Sequence, residues 1–321
     1  MLIVQPQHQV VILDTGLRPN SPYVRAIKEY KDFVQCGKSQ DSKEGKDSKS
    51  HKGSSTHGKE DQAEIKKIDN TGHGTCAVHL MFKVLDSAEV SVGRVFDTNV
   101  ESPKTKDLIA DAIKWAREHC KADIISLASG FQDRHEGIAT QIQQAVDANI
   151  LVFAASSNYG NMRKITFPGR IKYQVFCIFS TDVLGRVANR SASFNPPARK
   201  NTFNFAVLGE GIDPSEINLE PGPLLEGTSY STSIAAALAG RVLDFSRQRE
   251  PSTKIRQFEK LKTFHGMEAV FCKLARDTAM GDYNCIIPIN LIENCLGEER
   301  SEQRRKVCGA ISTALEDIDG S

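Results

Sequence analysis

No stretch of this chain stays apolar for the roughly 20 residues that a membrane-spanning helix needs. Neither sign of charge dominates. Lys and Arg number 41 against 40 Asp and Glu, a net charge of +1, so there is no basic surface to expect for nucleic acid and none for an acidic membrane. The eight cysteines are spread thinly, with no C-x-x-C pair and no His/Cys cluster at zinc spacing. Met1–His8 lacks the basic region, apolar run and small-residue cleavage site of a secretory leader. Free thiols in a reducing, intracellular compartment are the expectation. What is present is ordinary for a globular protein: 40% hydrophobic and 25% charged residues in a chain of 321.

One segment differs from the rest. Residues 37–63 hold no large apolar residue, and lysines interleave there with acids. Such a composition cannot bury enough surface to offset the entropy of ordering, so it reads as a flexible polar insertion. His51 and His57 within it read as solvated residues, not ligands.

Elsewhere strands and helices alternate. Val10–Leu13, Val90–Val95, Asp123–Leu127, Ile150–Ala155, Val175–Ser180 and Phe205–Gly209 are short apolar runs with the look of buried strands. Helical spacing marks 77–84, 105–119, 138–148 and the run from Ser229 to about Arg247. This alternation predicts βαβ units: an α/β protein with three αβα layers and a mostly parallel sheet. Residues 1–245 form the main domain in this reading. Residues 246–321, with helices near 254–263, 267–278 and 300–316, form a helical C-terminal extension packed on it. No chemical motif stands out in that extension.

Chemistry in such sheets gathers beyond the carboxyl ends of the strands. Asp14 ends the first strand, in Ile-Leu-Asp-Thr-Gly; on its own it reads equally as a turn carboxylate. A second Asp-Thr/Ser-Gly, needed for an aspartic-protease dyad, is absent. His73 opens a helix between two glycines. Asn158 follows a strand, in Ala-Ser-Ser-Asn-Tyr-Gly, where a side-chain amide can aim N–H groups at a developing oxyanion. Ser229, in Gly227-Thr228-Ser229, precedes a small apolar run and so sits at a helix N-terminus, where unpaired N–H groups favour negative charge. Alone it also reads as a helix cap.

Taken in order, Asp14 in Asp-Thr-Gly, His73 in Gly-His-Gly-Thr, Asn158 and Ser229 in Gly-Thr-Ser resemble the motifs of the subtilisin-like serine proteases, over roughly residues 8–245. Phe167-Pro168 and Ala192-Ser193-Phe194 sit where that family has similar residues. The resemblance implies a serine endopeptidase with a triad of Asp14, His73 and Ser229, an oxyanion donor in Asn158, and a substrate-binding edge at Ala128, Ser129 and Gly130. Protein or peptide would be the substrate. Other domains of a larger chain are implied as partners, because the tail resembles that of intracellular subtilases embedded in multidomain proteins. No cofactor is implied. Structural calcium is common in the family, but no dense carboxylate loop nominates a site.

The departures set further expectations. Tyr230-Ser231 stands where the family usually has Met-Ala, and Ser233 where it has proline, a change expected to loosen the start of the serine helix. Cys76 replaces a frequent histidine one helical turn beyond His73, which places a thiol beneath the site and predicts sensitivity to mercurials. No propeptide precedes Asp14, which fits either an excised domain or one that folds unaided. Two other readings stay open at this level: a degenerate subtilase module that binds or regulates other proteins, and an esterase using the same groups.

Overall fold

The computed structural model describes residues 8–35, 66–160, 164–187, 195–200, 202–248, 251–277, 282–288 and 297–320. The polar insertion, with His51 and His57, and the Ala192-Ser193-Phe194 segment lie outside the described residues.

The strands are β1 Gln9–Asp14, β2 Ile27–Asp32, β3 Glu89–Arg94, β4 Ile124–Leu127, β5 Leu151–Ala155, β6 Val175–Thr181, β7 Phe205–Leu208, β8 Ala275–Asp277 and β9 Asn284–Ile286. They form one sheet in the order β2-β3-β1-β4-β5-β6-β7-β9-β8. Every neighbouring pair is parallel except β8 with β9. The helices longer than two turns are α1 His73–Val84, α2 Thr105–Glu118, α3 Glu136–Asp147, α4 Thr228–Arg247, α5 Phe264–Leu274 and α6 Arg300–Glu316.

The apolar strand runs are explained by burial on both faces. Along β1, Val10 and Ile12 join a core with α1, α4 and α5, while Val11 and Leu13 join a second core with α2 and α3. These are the outer layers of the αβα sandwich predicted from the alternation. The alanines of α4, at 235, 236, 237 and 239, are fully buried. Small residues let that helix lie close against β4, β5, β6 and β7 in the sheet.

Two parts of the sheet differ from expectation. β2 was not legible because Ile-Lys-Glu-Tyr-Lys-Asp is an edge strand with mixed burial and no clean alternation. The segment after Arg247, expected as helical, supplies β8 and β9 as well as α5 and α6. Residues 275–277, placed by periodicity at the end of a helix, are extended from Ala275 onward (φ −79°, ψ 145°) and pair with β9. The apolar strip near Cys285 is β9, hydrogen-bonded to β7. A short apolar run cannot be assigned to strand or helix by period alone, and here the open edge of β7 decides.

The segment is welded on by packing and by charge. Met267, Val270 and Phe271 of α5 are fully buried, and Phe271 lies 5.5–6.2 Å from the rings of Phe153, Phe176 and Phe205. At the amino end of β4, the buried Asp123 carboxylate accepts hydrogen bonds from His8 Nδ1 (3.2 Å), the Gln9 backbone N–H (3.1 Å), Arg247 (3.3 Å) and Lys262. These bonds hold its pKa well below the ordinary carboxylate range against the opposing effect of burial. Among the described residues no helix is long and apolar enough to cross a membrane.

Candidate active site

The carboxyl ends of β1, β4 and β5 and the amino ends of α1 and α4 enclose a cavity of about 500 Å³. Asp14, His73, Ala128, Ser129, Gly130, Asn158 and Ser229 all line it. Every site residue expected from the sequence is thus brought to one place, from five segments of the chain.

Asp14 is buried at the last position of β1. Its Oδ1 accepts from the Thr15 backbone N–H (2.6 Å) and from His73 Nδ1–H (2.8 Å), which sets the imidazole tautomer with Nε2 free to take a proton. Burial opposes a charge on His73. The charge and hydrogen bond of Asp14, with help from Asp69, outweigh it and raise the imidazole pKa above its ordinary value.

The turn that presents His73 is organised by Asp69, which sequence reasoning overlooked. Its Oδ1 accepts from the hydroxyls of Thr15 (2.9 Å) and Thr71 (3.2 Å) and from the backbone N–H groups of Thr71 (3.1 Å) and Gly72 (2.8 Å). Its Oδ2 accepts from the backbone N–H and hydroxyl of Thr75 (2.8 and 2.6 Å). Gly72 takes φ 84°, a left-handed conformation that suits glycine, and starts α1. A Cβ on Gly74 would lie 2.4 Å from the Gly16 carbonyl oxygen, so glycine there lets the two backbones touch and seats His73 against Asp14. The signal for Asp69 was present in Asp-Asn-Thr-Gly: an acid ahead of a tight turn accepts backbone N–H groups a few residues on.

Ser229 is the second residue of α4 and is buried. Its Oγ donates to the Ala128 carbonyl oxygen at 3.1 Å; no hydrogen bond joins it to His73 among the described residues. Asn158 is oriented by Thr228, whose backbone N–H (2.8 Å) and hydroxyl (2.9 Å) both donate to its Oδ1. Two donors at one atom require it to be the oxygen. The NH2 group therefore lies on the Gly227 side, 3.1 Å from where a Gly227 Cβ would be. Gly227 has φ 149° and ψ 151°, a conformation that L side chains rarely adopt. Thr228 is a second residue that the sequence did not single out.

At the start of α4, where the family's proline is missing, the helix is formed from Thr228 onward. Thr232 Oγ1 bonds back to the Thr228 carbonyl (2.7 Å), Ser233 Oγ to that of Ser229 (3.5 Å), and Ser231 Oγ reaches Val207 O (3.0 Å). The helix runs unbroken to Arg247, and the serine at 233 keeps the backbone N–H that proline lacks. Cys76 lies one turn beyond His73 in α1 and is buried. Burial, with Asp69 and Asp14 nearby, pushes its thiol up to about 11, so it is no thiolate near neutral pH.

A mostly parallel sheet with Asp14, His73 and Ser229 around one cavity beyond its strand ends is the arrangement expected of a subtilisin-like serine peptidase. The model of the subtilase family, Peptidase_S8, matches residues 7–276, and the chain belongs to that family. It is similar to the subtilisin-like protease het-Q2 of Podospora anserina, 27% identical over 83% of this chain and 71% of that protein. Among solved structures, it resembles the prenylagaramide maturation protease PagA (TM-score 0.59, 16% identity, 99% of this chain and 95% of that one). It also resembles the protease domain of PatA (TM-score 0.59, 15% identity, the whole of both chains).

Proposed function

We propose that the chain is a serine endopeptidase that hydrolyses peptide bonds through an acyl-enzyme. The reading rests on one observation above all: the 2.8 Å Asp14–His73 hydrogen bond opens onto the same cavity as Ser229 and Asn158. A substrate strand lies along Ala128–Gly130, as the family resemblance implies. Ser229 Oγ swings from the Ala128 carbonyl toward His73 Nε2 and attacks the scissile carbonyl carbon. His73 takes the hydroxyl proton, and Asp14 stabilises the imidazolium that forms. Negative charge on the former carbonyl oxygen is held by the Asn158 NH2 group and the Ser229 backbone N–H at the start of α4. His73 then gives its proton to the leaving amine. Water repeats the sequence to free the acid. Among the described residues no group of three His, Cys, Asp or Glu side chains is placed to hold a metal. The thinly spread cysteines, with Cys76, Cys120, Cys177 and Cys272 as free thiols, support an intracellular setting.

A second reading has an observation in its favour. The Ser229 hydroxyl rests on Ala128, not on His73, as it would in a module that has kept the fold to bind other proteins. A fluorophosphonate probe separates the two. Labelling of the wild type but not of Ser229→Ala supports the peptidase; folded wild-type protein that stays unlabelled supports the binding module.

A further inference from the structure

The residue after the nucleophile carries a feature that the triad chemistry does not use. The Tyr230 ring faces the imidazole of His73, with centroids 5.3 Å apart and planes inclined by 33°. Tyr230 is half-buried in the first turn of α4, so backbone and packing fix the ring where it is. A cation within about 6 Å of an aromatic centroid is attracted by the negative face of the ring. In the reaction His73 becomes such a cation when it holds the Ser229 proton, the moment at which charge has to be stabilised. The other titratable or charged groups around the imidazole are Asp14 on β1, Asp69 in the turn before α1, and Cys76 on α1 itself, with Arg18 over Gly72 at the mouth of that turn. Asp14 attracts the imidazolium at Nδ1, Asp69 adds its charge, and the thiol stays neutral, which leaves the ring of Tyr230 as the aromatic partner at the imidazole's face.

We propose that Tyr230 is a positioning residue: its ring braces the His73 imidazole in the orientation set by Asp14 and stabilises the imidazolium during proton transfer. The proposal rests on the peptidase reading above for its purpose, but not for its test. The phenol itself contributes no charge, since burial and the neighbouring Cys76, Asp14 and Asp69 push its pKa further above an already high ordinary value.

The measurement is an NMR titration of the His73 ring protons, identified as the resonances lost in His73→Gln. It compares the wild type with Tyr230→Phe, Tyr230→Met and Tyr230→Leu, with thermal melts to confirm folding. Phe keeps the aromatic face; Met and Leu keep apolar bulk without it. The wild-type His73 pKa is expected to persist in Phe. It is expected to fall by about half a unit, a threefold weaker proton affinity, in Met and Leu. The acid limb of the fluorophosphonate-labelling rate moves with it. An unchanged or raised His73 pKa in both Met and Leu would overturn the proposal, as would a fall in Phe equal to theirs, because the hydroxyl and not the ring would then be acting. Failure of the wild type to label refutes the peptidase reading separately and leaves the titration readable.

Discussion

Replacing Asp69 by Asn alters one atom in a buried turn and is expected to unsettle the placement of His73. In the wild type Oδ2 accepts two bonds from Thr75, and Oδ1 accepts four from Thr15, Thr71 and Gly72. An Asn can keep an oxygen toward one set only. With its oxygen on the Oδ1 side, its NH2 meets the Thr75 N–H, donor against donor, and the remaining bonds lose their charge assistance. Hydrogen bonds to a charged group contribute roughly 1.5–3 kcal/mol each, and an orphaned buried donor costs about 1–3 kcal/mol. Allowing for relaxation of the turn, Asp69→Asn should lower stability by about 3 kcal/mol at pH 7. Urea denaturation followed by circular dichroism measures this. The pH dependence is a second check. Burial would raise the Asp69 pKa, but the bonds from Thr75, Gly72 and Thr15 prevail and hold it below the ordinary carboxylate value. A depressed folded-state pKa contributes stability that is present above the unfolded value, about 3.9, and is lost as pH falls through the folded value. The gap between wild type and variant should therefore hold from pH 7 to about 5 and narrow below about 4. A difference under about 0.5 kcal/mol at pH 7, or a gap that widens in acid, would refute this account of the turn.

Asn158→Ala is expected to lower kcat by about 10²–10³-fold with little change in KM, the loss that one oxyanion donor carries; steady-state kinetics on a peptide substrate would show it. Asp123→Ala removes the acceptor shared by His8, Arg247 and Lys262. It should cost about 2–3 kcal/mol in a denaturant titration, below the 3–5 kcal/mol of a sealed pair because both cations reach solvent. His79 is buried between Ser21 (2.8 Å) and the Ile217 carbonyl (2.6 Å), and burial depresses its pKa despite that carbonyl. Its neutral form is thus the stabilising one, and stability should drop as pH falls below the unfolded value of about 6.5. Melting curves at pH 7.5 and 5.5 should differ less in His79→Gln than in the wild type. Stoichiometric mercuration of Cys76 should abolish activity, since a heavy atom on that buried thiol displaces Tyr230 or His73; full activity after modification, with Cys76→Ser as the control, would exclude this.

Much of the fold was legible because burial on both faces of a parallel sheet leaves a plain mark. Val10–Leu13 and Leu151–Ala155 are apolar throughout since each side chain meets a helix layer. Edge positions carry no such mark. β2 mixes charge with partial burial, and β8 and β9 exist because β7 has an unsatisfied edge that the tail completes, a fact about a partner strand and not about the local sequence. The site residues that stood out were those with a reactive group at a strand or helix end: Asp14, His73, Asn158 and Ser229. Those that hold them, Asp69, Thr15 and Thr228, did not stand out, because turn acids and threonines are common and their role depends on what lies across the turn.

Local pattern, in the end, specified the layers and most of the strands, and marked the candidate reacting groups at strand and helix ends, because hydrophobic period and glycine placement are written residue by residue. The tertiary structure alone decided the distances. The 2.8 Å from Asp14 to His73 joins residues 59 apart, the orientation of Asn158 is set from 70 residues away, and the rest position of the Ser229 hydroxyl is set by a carbonyl 101 residues earlier. Hydrogen bonds act over about 3 Å regardless of separation along the chain, so that geometry exists only once β1, β4, β5, α1 and α4 have packed.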